Sequence, residues 1–228
     1  MQALKPIGPR NANESAPAFT LLNFRPEVVL QMNWALAPFL FLFSAVAFAA
    51  VSEQEVVHQL YQRGLAGDKR AVDECIAKVE LRLRTEPGNQ LARVYLGSAY
   101  TLRSRDLGFG PRKITALRHG LALMDEAVTA APNDAHVRLL RALTTQALPS
   151  LLGRRKSAQD DFEALVTMLA KAPDTLSASD QQTVYYYAGV AAQQSGNAAR
   201  ASELWKDAAR HPVDFELTAK VNAALAGK

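Results

Sequence analysis

The chain of 228 residues contains a single cysteine, Cys75, so it closes no disulfide within itself and cannot build a cysteine-based zinc or iron–sulfur site. Charge of neither sign dominates. Lys and Arg number 26 against 22 Asp and Glu, an excess too small to imply nucleic-acid binding. Histidine is as sparse as it is scattered: His58, His119, His136 and His211 lie far apart, and none shares with a glutamate the helical spacing that zinc hydrolases use. A G-x-S-x-G elbow, a phosphate-cradling glycine loop and a dinucleotide fingerprint are all missing. GFGP at 108–111 follows no strand and is stopped by its proline. Alternating β-branched runs are absent, which excludes a sheet architecture. These absences leave no cofactor, metal or catalytic constellation to expect, and point to a chain that acts by binding.

What the chain has in plenty is apolar surface. From Trp34 to Val51 runs WALAPFLFLFSAVAFAAV, eighteen residues without a charge, borderline for crossing a bilayer and ample for the apolar part of an export signal. Ala47-Phe48-Ala49 before Ala50 has the small-x-small pattern of a signal-peptidase site, so cleavage after Ala49 is one expectation; an uncleaved anchor in the inner membrane is the other. Residues 1–33, rich in Pro, Asn and Ser, read as a disordered tail, with Met32 as an alternative start. Either version places residues 52–228 outside the cytoplasmic membrane, in the periplasm or exported.

After Ser52 apolar residues recur at steps of three and four, the signature of an all-α region. Gly64 to Asp68, Glu86-Pro87-Gly88-Asn89, Gly108-Phe109-Gly110-Pro111, Ala131-Pro132-Asn133-Asp134, Pro149 to Gly153, Pro173 to Ser179, Ser195-Gly196-Asn197 and His211-Pro212 are helix stops. They divide the region into about eight antiparallel helices.

Two of the stops, EPGN and APND, precede similar helices, and the segments around them repeat a pattern. Tyr185, Ala188, Gly189 and Ala192 are followed by a Gly196-Asn197 turn, then by Ala201, Trp205, Ala208 and Pro212. Leu96-Gly97 and Tyr100 follow Pro87 at a matching distance, with Gly120, Met124, Ala127 and Pro132 after eleven extra residues. Between these units Ala158, Phe162 and Leu165 keep only the second-helix pattern. The arrangement resembles the tetratricopeptide repeat (TPR), a helix-turn-helix unit of about 34 residues whose hairpins stack into a superhelix. On that resemblance Gly97 marks a place where two helices of a hairpin approach too closely for a β-carbon, and residues 53–87 are a fourth, degenerate unit.

The resemblance implies a non-enzymatic scaffold whose first helices line a concave groove for a protein or peptide partner. The groove would take Leu91, Val94, Ser98, Leu102, His136, Leu139, Leu143, Gln146, Thr183, Tyr186, Val190 and Gln193, with Tyr186, Gln193 and His136 foremost. A solute-binding accessory subunit of a transporter is the alternative. Two further features come from the residues themselves. Arg103, Arg105, Arg112, Lys113, Arg118, Arg154, Arg155 and Lys156 fall in two insertions and are expected to form a basic rim, open to an acidic partner or a membrane surface. Arg138, Arg141 and Thr145 share one helix face that is partly buried, so the two arginines are expected to pair with Asp160, Asp161 or Glu163 on the next helix.

Overall fold

Stops that combine a turn residue with a short polar side chain should end one helix and cap the next, and they do. The computed structural model describes residues 53–227, so the tail at 1–33, the uncharged stretch at 34–51 and the junction at Ala49 lie outside the described residues. Nine α-helices occur among the described residues: α1 (53–65), α2 (Lys69–Thr85), α3 (Gln90–Asp106), α4 (Pro111–Ala130), α5 (Ala135–Gln146), α6 (Arg155–Lys171), α7 (Ala178–Gln194), α8 (Ala198–Ala209) and α9 (Phe215–Leu225). No strand occurs among them, and no helix there is long and apolar enough to cross a membrane.

The caps are those the sequence offers. Asp68 accepts from the Ala71 amide at 3.0 Å, Asn89 from Ala92 at 2.9 Å, Ser177 from Asp180 at 3.1 Å, Asn197 from Arg200 at 3.1 Å and Asp214 from Leu217 at 2.8 Å. Asp134 serves two amides, those of His136 and Val137. Each bond satisfies a donor that the first helical turn leaves without an intrahelical partner. Pro111 starts α4 instead, where its missing N–H costs nothing. Gly67 and Gly196 close the two tightest hairpins with φ of 102° and 82°, a conformation other residues adopt only with strain.

Consecutive helices pack as hairpins, α3 on α4, α5 on α6 and α7 on α8, and the hairpins stack on one another through α2 on α3, α4 on α5 and α6 on α7. Gly97 and Gly120 bring the backbones of α3 and α4 into contact. A β-carbon on Gly97 would stand 2.6 Å from the Gly120 carbonyl oxygen, and one on Gly120 would stand 2.5 Å from that of Gly97. The cost of a glycine in each helix is thus offset by backbone packing that no larger residue permits. Around this contact Met124, Ala127, Val128 and Val137 form a buried cluster.

One expectation changes here and one is met. The eleven extra residues do not make a protruding insertion: they lengthen α3 to Asp106 and α4 back to Pro111, leaving 107–110 as the loop. The expected pairing of Arg138 and Arg141 is present and converges on one acid. Asp161, wholly buried, accepts from Arg138 Nη1 at 2.7 Å and from Arg141 Nε and Nη2 at 2.7 and 2.8 Å. Arg141 also reaches Asp125 at 3.1 Å, and Arg154 donates to the same Asp125 at 2.6 Å.

Candidate functional site

First helices of successive hairpins should lie side by side, and hydrogen bonds fix their register. His58 Nδ1 lies 3.1 Å from the Tyr95 hydroxyl, the Tyr61 hydroxyl 2.6 Å from Ser98 Oγ, and Arg105 Nη2 2.8 Å from the Gly64 carbonyl oxygen. Rising numbers pair with rising numbers, so α1 and α3 run parallel. Ser98 Oγ in turn lies 2.7 Å from Thr144 Oγ1, which ties α5 to the same layer. Between the three helices opens a cleft of about 750 Å³.

Its walls are mainly apolar: Leu65 from α1, Leu91, Tyr95 and Leu102 from α3, and Leu139, Leu140 and Leu143 from α5. The loop after α5 adds Leu148, Pro149 and Leu152, while Lys113 and Leu117 of α4 close the end where α1 and α3 finish. His58, His136 and Asp180 stand near the other end. The floor is a chain of hydroxyls. Thr144 donates to the Leu140 carbonyl at 2.7 Å, so Ser98 must donate to Thr144 and Tyr61 to Ser98. Every proton in the chain is committed inward, and the floor offers a ligand little beyond shape.

Burial pushes the Tyr61 phenol above its ordinary range. Burial likewise pushes Tyr95 up to about 12, helped by the neighbouring Tyr61 and Cys75 and by the Asp180 and Glu55 carboxylates. Both rings therefore stay neutral donors at physiological pH, packed edge to face with centroids 5.3 Å apart.

Among the known structures, a thermophilic TPR protein of Thermus thermophilus aligns with a TM-score of 0.52 at 18% identity, covering 81% of this chain and 96% of that one. The fold is that of the tetratricopeptide repeat. No protein-family model matches the sequence, and no curated protein is similar to it in sequence. A TPR hairpin needs small residues at its helix contacts and caps at its turns, and little else, so its framework outlasts its consensus. Here Gly97, Gly120 and Gly189 hold those contacts; a β-carbon on Gly189 would overlap the Trp205 indole.

Of the groove residues read from the sequence, Leu91, Ser98, Leu102, His136, Leu139 and Leu143 line the TPR cleft. Val94 does not: it is fully buried against Met124, Ala127 and Val137, because this turn of α3 faces α4 rather than the open side. Gln146 is half-buried outside the lining. Tyr186, Gln193, Thr183 and Val190 also stand outside it, since α7 packs on α6, α8 and α9 and not beside α5 as α5 does beside α3. Tyr186 is half-buried, edge-on to Tyr187 at 5.1 Å, and its carbonyl accepts from Trp205 Nε1 at 3.2 Å. Gln193 is exposed.

The basic rim divides in the same way. Arg105 is not free: it bonds the Gly64 and Leu65 carbonyls at the end of α1 and pairs with Asp106 at 2.8 Å, an acid that holds its guanidinium above its ordinary range. Arg154 is held by Asp125. Arg112, Lys113 and Arg155 form no ion pair among the described residues. His58, Tyr61, Tyr95 and Thr144 escaped the sequence reading. Gln54, His58, Tyr61 and Leu65 recur at three- and four-residue steps, a signal that would have extended the groove into the first hairpin.

Proposed function

We propose that this chain is a non-enzymatic scaffold outside the cytoplasmic membrane, seating an apolar segment of a protein partner from an envelope assembly or transport system in the cleft between α1, α3 and α5. The observation that carries the reading is the cleft itself, about 750 Å³ of mainly leucine-lined space over a floor whose hydroxyls are already satisfied. Such a surface rewards burial of apolar side chains and asks for few polar matches. The Tyr61–Ser98–Thr144 bonds hold three helices in register before any partner arrives, so binding orders little that was loose. TPR folds commonly serve protein–protein interaction, and the uncharged stretch at 34–51 with its Ala47-Phe48-Ala49 junction supports the location.

A second reading, a carrier of an apolar solute for a transporter, rests on the same volume, which falls within the range of roughly 300–1,000 Å³ typical of small-molecule sites. A photo-crosslinking residue placed at His136, at Leu143 and, for reference, at Gln193 of the full chain separates the two. A protein partner should be captured from positions 136 and 143 and not from 193, with Leu143→Glu abolishing capture at 136. Capture equally strong from 193 would refute the cleft as the seat. No protein capture, together with an apolar molecule retained by the purified chain in native mass spectrometry, would favour the carrier.

A further inference from the structure

We propose that the end of the domain carrying loops 107–110 and 147–154 rests on an anionic lipid surface, with Phe109 and Leu151 inserted among the acyl chains. Phe109 sits between Gly108 and Gly110 with 103% of its reference surface in water, and Leu151 is 85% exposed in a turn closed by Gly153. Ile114, in the first turn of α4, adds a third exposed apolar side chain. The two loops belong to one end of the molecule. Lys113 and Leu117 beyond the first, and Leu148, Pro149 and Leu152 of the second, border the same closed end of the cleft, beside Leu65 and Arg105 where α1 and α3 finish.

Charge distinguishes this end. No acidic residue occurs from 107 to 124 or from 135 to 159. Arg105 is neutralised by its neighbour Asp106 and Arg154 by Asp125, while Arg112, Lys113 and Arg155 form no ion pair among the described residues, Arg155 meeting only the Gln194 amide oxygen at 3.3 Å. Free cations and apolar tips thus coincide. A protein partner would need a pocket for each tip and acids at matching places. A bilayer with anionic head groups accepts separate apolar tips without shape matching, while its surface potential draws the cations. The cleft remains available to a second ligand, so this surface goes beyond the binding function proposed above.

The test places a single cysteine at Phe109 or Leu151 of the full chain and labels it with an environment-sensitive dye. Cys75 is buried, with its thiol pushed up to about 11 by that burial, so label enters only at the new position. A cysteine at Gly88, in the turn at the opposite end of α3, is the reference. On phosphatidylcholine vesicles containing phosphatidylglycerol, both tip probes should shift to the blue and become shielded from an aqueous quencher, while the probe at 88 should not. Neutral vesicles should produce neither change. Each cation near an anionic surface contributes about a fivefold gain in partitioning, so Arg112→Gln with Arg155→Gln should bind about twenty-five-fold more weakly. If the chain reaches vesicles through residues 34–51 alone, the tip probes stay open to quencher and the proposal is overturned. It is equally overturned if the tips stay aqueous on every vesicle while substitutions there abolish capture of a protein partner.

Discussion

Replacing Asp161 by asparagine removes the charge on which two arginines converge while keeping the shape of the side chain. The carboxylate is 0% exposed, whereas the side chains of Arg138 and Arg141 retain 18% and 14% of their surface. Three N–H groups point at its two oxygens, at 2.7, 2.7 and 2.8 Å. An amide can accept on one side only; its NH2 would face a guanidinium donor on the other. Breaking a buried ion pair from one side costs about 3–5 kcal/mol, because the remaining charges stay desolvated without a counter-ion. Partial water access to both arginines, and the second acid Asp125 beside Arg141, put the expectation at the lower end, about 3 kcal/mol. With a urea dependence of about 2 kcal/mol per molar, the unfolding midpoint should fall by roughly 1.5 M. Asp160→Asn, which breaks a pair with Lys156 in which the two side chains are 59% and 82% exposed, should leave the midpoint within error. Equal shifts for the two variants would refute the reasoning. A second arm tests its cause: Asp161→Leu with Arg138→Met and Arg141→Leu removes all three buried charges and should recover most of the lost stability.

Two further outcomes follow from local geometry. In a Trp34→Phe background, Gly189→Ala should displace the Trp205 indole from the Tyr186 carbonyl, shift its emission to the red and cost about 1–3 kcal/mol; an unchanged spectrum would show that the helices do not touch there. Alkaline unfolding reports on Tyr95. Its folded pKa of about 12 lies above the ordinary 10.0, so the folded chain holds a proton that the unfolded chain releases; the contribution is complete below pH 10 and is lost as pH rises towards 12. Tyr95→Phe should flatten that limb in a pH titration of stability, and an identical limb would sink the assignment.

The helix ends were legible because they are local. Asp68, Asn89, Asp134, Ser177, Asn197 and Asp214 each cap within three residues of their own position, and such a cap can be read without knowing what the helix packs against. Gly97 was legible for a similar reason: a glycine inside a strong helix pattern needs a close neighbour, although only the structure shows that neighbour to be a second glycine, Gly120. The pairing of Arg138 and Arg141 with the next helix followed from the cost of burying charge, while the choice of Asp161 over Asp160 depended on the rotation of α6 about its axis.

The cleft was only half legible. Its α3 and α5 walls follow from the helical period, but Val94 turned inward and α7 contributed only Asp180 to the lining, since the angle between successive hairpins depends on packing across the whole stack. By itself the sequence determined where each helix starts, stops and must come close to another, because backbone caps and missing β-carbons act over a few ångströms. Tertiary structure alone decided which side chains share the cleft and which cations remain free, because hairpin rotation sets the first and acids such as Asp125, twenty-nine residues from Arg154, set the second.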